Sequence, residues 1–136
     1  MYPGRVNVYK QNQITTASPG QVLVALYDGA IRYSLVAREA ILSKNLAVKG
    51  ENIGRAMSIV GELKSTLEHS RAPELCSNLE RLYNYFIDRL HEAGVKLQVE
   101  PLDEVVKHLQ DLRNTWAQAV QLAEQEQAVQ KVAVAS

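Results

Sequence analysis

Apolar residues recur along this chain at helical spacing, most densely in the stretch Thr16–Tyr33, TASPGQVLVALYDGAIRY. Val22, Leu26, Ala30, Tyr33 and Ala37 form one stripe at steps of three and four, and Leu23, Tyr27, Ile31 and Leu35 form a second beside it. A surface helix of a small bundle needs one such stripe, so the second calls for a central position or a partner that covers it. The start is well marked. Ser18 can cap, Pro19 suits the first helical position, and Gln21 completes an S-x-x-Q capping box. The pattern predicts a helix from Pro19 to about Ser43, with Gly29 inside it at a cost of about 1 kcal/mol relative to alanine. That glycine marks either close helix approach or tolerance.

Three more helices follow. Lys44-Asn45 supply a break, and Ile53, Ala56, Met57, Val60, Leu63 and Leu67 give the second helix its face, from between Leu46 and Gly50 to about His69. Pro73 opens the third, whose face is Leu75, Leu79, Leu82, Phe86, Leu90, Ala93 and Leu97, extended by Tyr83 and Ile87. Pro101 ends the next break, and the fourth helix carries Leu102, Val105, Leu109, Leu112, Trp116, Ala119 and Ala123. Its Ala/Gln/Val-rich end, EQEQAVQKVAVAS, reads as fraying. No alternating strand pattern with hairpin turns is present. Short connections favour antiparallel neighbours, so the expected fold is all-α, an antiparallel up-down four-helix bundle. The expected divisions are a flexible N-terminal arm over 1–15, the bundle over 16–126 and a frayed tail over 127–136. The polar arm carries scattered apolar anchors, of which Tyr9 and Ile14 are placed to reach a groove on the domain. A plain disordered tail is the competing reading.

Composition narrows the function. Fifteen basic and fifteen acidic residues balance, leaving no field for nucleic acid or an anionic membrane. The lone Cys76 allows no internal disulfide and fits a reducing compartment. Neither a secretory leader nor an apolar run of membrane-spanning length is visible, and the expected location is the cytoplasm.

Chemistry finds little purchase. Diiron bundles use paired Glu-x-x-His motifs, whereas this chain offers one Asp88-x-x-His91. His69, His91 and His108 sit on three different helices without ligand spacing. A phosphotransfer His needs small neighbours, and His108 has Val105 and Leu109 beside it. Cys76 reads as a small buried side chain rather than a nucleophile. No phosphate loop, HExxH or GxSxG occurs, so neither catalysis nor a cofactor is expected.

Surplus apolar surface is the remaining signal. After one face per helix is assigned, Leu23, Tyr27, Leu35, Leu42, Ile59, Ile87, Val106 and Val120 are left over. Such leftovers are either core by a shifted face or contacts for an amphipathic partner segment.

Two blocks carry a family resemblance. Tyr9–Ser34, YKQNQITTASPGQVLVALYDGAIRYS, and Ala93–Ala119, AGVKLQVEPLDEVVKHLQDLRNTWAQA, resemble the first and last helices of the FliS family of flagellar secretion chaperones. The intervening NIGRAMSIVGELKSTLEHS and NLERLYNYFIDRL are similar in pattern and spacing. The resemblance implies a cytosolic bundle that binds the disordered C-terminal part of flagellin, prevents its premature polymerisation and delivers it to the flagellar type III export gate. It also implies an arm, here Tyr9 and Ile14, that can fold over the client groove. Val24-Ala25 are smaller than the aliphatics the family often carries before LYDG. The expected client-binding or groove-capping residues are Tyr9, Ile14, Leu23, Tyr27, Ile31, Leu35, Ile59, Ile87, Val106 and Val120. A monomer or weak homodimer is expected, and the alternative class is a homo-oligomeric scaffold whose spare face pairs with itself.

Overall fold

The computed structural model describes residues 18–135, which form four helices and, among the described residues, no strand. These are α1 (Pro19–Leu42), α2 (Leu46–Ser65), α3 (Pro73–Lys96) and α4 (Glu100–Ala135). The capping box at the start of α1 forms as expected. Ser18 Oγ accepts from the Gln21 N–H at 3.2 Å, and the Ser18 N–H donates to Gln21 Oε1 at 3.2 Å. At the other end, Lys44 takes a left-handed conformation (φ 59°) and the Asn45 N–H closes back on Ala40 O at 2.8 Å. Asn45 Oδ1 then accepts from the Val48 N–H and opens α2. The two helices therefore meet in a tight corner at the Lys44-Asn45 break.

Two boundaries move. The second helix stops at Ser65, four residues before His69. The Ser65 and Thr66 hydroxyls donate to the carbonyls of Glu62 and Leu63, which gives the last turn an alternative to continuing. The fourth helix runs on to Ala135 through the stretch expected to fray, and residues 121–134 are exposed along it. At 1.5 Å per residue α4 is about 54 Å long, against about 36 Å for α1 and α3.

Side-chain pairs fix the direction of packing. Along α1 and α4, Gln21 meets Glu124, Asp28 meets Arg113 and Arg38 meets Asp103, so one number rises as the other falls. Lys49 Nζ reaches Gly94 O while Lys64 Nζ reaches Asn84, which sets α2 against α3 in the same sense. Arg89 pairs with Glu104 and Phe86 stacks on His108, which does so for α3 and α4. α1 packs along α2 and α4, and so does α3, so α1 and α3 sit diagonally. The result is the up-down antiparallel bundle.

The core is continuous. Ala30 and Ala37 of α1, Ala56, Val60 and Leu63 of α2, Phe86, Leu90 and Ala93 of α3, and Leu102, Val105 and Leu109 of α4 are fully buried. The face of α1 is unusually small, comprising Gly29, Ala30, Ser34, Ala37 and Ala40 around one large residue, Tyr27. A Cβ on Gly29 would lie 3.0 Å from Ile59 Cδ1, so this glycine serves close approach to α2. Ser34 is buried with its hydroxyl donating to Ala30 O at 2.7 Å, which is how a polar residue sits on the core side. Leu75 and Leu97 leave the expected face of α3. Both are exposed, Leu97 because it takes the left-handed position that closes the helix. Cys76 is buried beside the core, as its sequence setting indicates.

Candidate functional site

The small face of α1 draws its two neighbours close, and larger α1 side chains are pushed to the seams. Each seam becomes a shallow groove. At the start of α1 beside the end of α2, Pro19, Val22, Leu23, Leu26, Thr66 and Glu68 line a concavity of about 430 Å³. Further along, Tyr33 and Ile59 sit beside Gly50, Gly54, Arg55 and Ser58 in a second one of about 670 Å³. The guanidinium carbons of Arg32 and Arg55 lie 5.1 and 5.5 Å from the centre of the Tyr33 ring, within cation–π range. Arg55 is also paired with Glu51 at 2.6 Å.

The α1–α4 seam is different in character. It is laced by Arg38–Asp103 at 2.6 Å and Asp28–Arg113 at 2.8 Å, with Ile31 and Leu35 on the stretch of α1 between them. Exposed pairs of this kind contribute little stability, but they fix the register of the two helices. At its end, Val24, Ala117 and Val120 line a further hollow under the Gln21–Glu124 hydrogen bond. Leu35, Val36 and Leu42 remain exposed on α1.

The residues singled out in the sequence divide accordingly. Leu23 and Ile59 lie in the α1–α2 grooves, half-buried. Ile31, Leu35 and Val120 belong to the α1–α4 side. Ile87 is half-buried against the core on α3, diagonal to α1, and joins neither groove. Tyr9 and Ile14 lie outside the described residues. Two assignments need correction. Val106 is 7% exposed and part of the core side of α4. Tyr27 is completely buried, because its hydroxyl has partners inside the bundle: it lies 2.5 Å from the Tyr83 hydroxyl and accepts from Trp116 Nε1 at 3.1 Å. Neither side chain is available to a partner in this state.

Sequence reasoning missed the Arg32–Tyr33–Arg55 cluster, since pairing across two helices cannot be read before their register is known. It also placed Tyr33 on the core stripe, and that side chain is half-buried, packed against the core and bordering the groove as well. Among the described residues, no group of three or more His, Cys, Asp or Glu side chains gathers as a metal site would. His108 instead stacks on Phe86 at 6.0 Å, and His69 stands 3.6 Å from Glu80. No described helix is long and apolar enough to cross a membrane.

The family model for flagellar protein FliS matches residues 2–123. The chain belongs to the FliS family. Among FliS relatives, the flagellar secretion chaperone FliS of Bacillus subtilis is 35% identical over 113 residues, covering 83% of this chain and 84% of that protein. The flagellar secretion chaperone FliSB of Pseudomonas aeruginosa is 36% identical over 104 residues, covering 76% and 82%. The flagellar secretion chaperone FliS of Vibrio cholerae is 29% identical over 119 residues, covering 85% and 88%. Both resembling blocks, Tyr9–Ser34 and Ala93–Ala119, fall inside the FliS match, as do all the grooves flanking α1 apart from the Glu124 edge. The exposed run of α4 beyond Ala123 falls outside it.

Proposed function

We propose that this chain is a cytoplasmic flagellar export chaperone that binds the disordered C-terminal segment of flagellin, prevents its premature polymerisation and delivers it to the export gate. Membership of a family whose relatives are flagellar secretion chaperones supports the class of function. The observation that carries the client reading is the shape of the apolar surface. Among the described residues several shallow, open hollows are strung along both sides of α1, and others lie along the exposed end of α4. A segment that folds on binding buries roughly 1,000–3,000 Å² and loses several kcal/mol in ordering, so it needs long grooves and many modest contacts. A compact ligand would need the opposite. Leu23, Ile31, Leu35, Ile59 and Val120 are the client-facing side chains in this reading, with Tyr9 and Ile14 as groove-capping anchors. Release then proceeds by peeling, one hollow at a time.

The test is titration calorimetry of the purified chain with flagellin from the same cell and with flagellin lacking its C-terminal segment. The expected result is a one-to-one complex with the intact client only, together with suppression of seeded filament growth. Equal binding of the truncated client would overturn the assignment of the segment, and failure to bind either would overturn the function.

A further inference from the structure

We propose that residues Ile14–Ala17 run along the projecting end of α4 and seat Ile14 on Val134, so that the N-terminal arm is tied down on its own chain. The point where the described chain begins leads there. Ser18 is extended (φ −66°, ψ 158°), so the chain before it leaves α1 rather than prolonging it. It leaves beside α4, where a Cβ on Gly20 would press on Val120 and Gln21 Nε2 donates to Glu124 at 2.8 Å. The two helices are antiparallel, so α4 continues past this point toward the side from which the arm arrives. Residues 121–134 are all exposed.

One face of this end looks toward the arm. Gln127, Lys131 and Val134 follow Val120 by about two, three and four turns, and so point as Val120 does, to the side where α1 begins. With Gln130 they border a hollow of about 430 Å³. Val129 follows by about two and a half turns and faces away. Val134 is 88% exposed, and a projecting stretch this short is marginal as a helix without tertiary contacts.

Length and charge select the occupant. Extended, Ile14–Ala17 spans about 13 Å, and the rise from Gln127 to Val134 is about 10 Å. Ile14, the one large apolar residue between Gln11 and Ala17, thereby arrives at Val134, with Thr15 and Thr16 beside the amides of Gln127 and Gln130. Met1–Ala17 carries Arg5 and Lys10 and no acidic residue, whereas this end of α4 carries Glu124 and Glu126 against Lys131. The seat lies beyond the FliS match, which ends at residue 123, and it needs no client.

The experiment is disulfide trapping in the full-length chain, with each bond located by peptide mapping; Cys76 is buried and stays in every variant. Ile14→Cys combined with Val134→Cys should close within one chain about tenfold faster than Ile14→Cys combined with Val129→Cys, on the far face of the same helix. Equal rates overturn the proposal, because the arm then samples both faces alike. A bond joining two chains overturns it in favour of a second copy on this face, and closure of neither pair overturns it outright. Amide hydrogen exchange gives a readout without added thiols. Ile14→Asp should speed exchange over residues 127–134 about tenfold and leave the buried stretches of α1, α2 and α3 as they were. Unchanged exchange over 127–134 overturns the proposal as well.

Discussion

The Tyr27 and Tyr83 hydroxyls lie 2.5 Å apart in the middle of the bundle and join α1 to α3, the diagonal pair that otherwise makes little contact. Trp116 of α4 adds its indole N–H to Tyr27 at 3.1 Å, so three helices meet at one phenol oxygen. Burial pushes both phenols above their ordinary range, and they stay neutral and able to donate. A buried polar group left without a partner costs roughly 1–3 kcal/mol. Tyr27→Phe orphans both Tyr83 and Trp116, while Tyr83→Phe leaves Tyr27 still accepting from Trp116. Urea unfolding should therefore find Tyr27→Phe the costlier, and the double variant less costly than the sum of the two. Equal single costs would mean that the Trp116 bond contributes nothing.

The α1–α4 seam is tightest at its end. A Cβ on Gly20 would stand 2.5 Å from Val120 Cγ2, closer than real side chains come. Gly20→Ala should cost about 1–3 kcal/mol by overpacking, despite alanine's better helix propensity. Adding Val120→Ala removes the opposing methyls and should restore most of that loss. Thermal unfolding of the three variants checks it; an undiminished cost in the double variant would place the strain elsewhere.

The helices, their antiparallel order and the Ser18 cap were legible because each rests on local signals: apolar spacing, proline position and a capping box. The faces were legible less well. α1 carries two apolar stripes, and its core face uses part of each, centred on small residues whose burial leaves no hydrophobic mark in sequence. Ser34 is the clearest case, polar by type and fully buried through a bond to its own helix. Tyr27 looked like spare surface because its partners, Tyr83 and Trp116, lie 56 and 89 residues away. The extent of α4 was equally hidden, since an Ala/Gln/Val-rich stretch mixes strong and weaker helix formers and gives no sign of packing.

Acid should loosen the α3–α4 contact. Glu104 accepts from the Tyr85 hydroxyl at 2.5 Å and from Arg89 at 3.1 Å, and these bonds, Tyr85's foremost, hold its carboxyl below the ordinary value of 4.5. A carboxyl whose folded value is depressed stabilises the fold above its unfolded value and loses that contribution as pH falls through the folded one. Glu92, held down by Lys96 and then Arg89, acts in the same direction. The stability difference between the unaltered chain and Glu104→Gln should thus shrink between about pH 6 and about pH 3. A difference that stays constant across that range would remove Glu104 from the acid response.

Leu35 separates surface from core on α1. It is 42% exposed, between the Asp28–Arg113 and Arg38–Asp103 pairs, whereas Leu63 on α2 is completely buried. Leu35→Asp should cost the free protein less than about 1.5 kcal/mol, chiefly through helix propensity and a partial loss of apolar contact. Leu63→Asp, which buries an unpaired charge, should abolish folding. With the fold intact, the proposed client reading expects Leu35→Asp to weaken binding of the flagellin segment about tenfold, because a carboxylate would have to be desolvated against an apolar partner. Circular dichroism and calorimetry on the same samples separate the effects. An unfolded Leu35→Asp chain would move Leu35 into the core, and a folded one that binds normally would confine the client to the α1–α2 side.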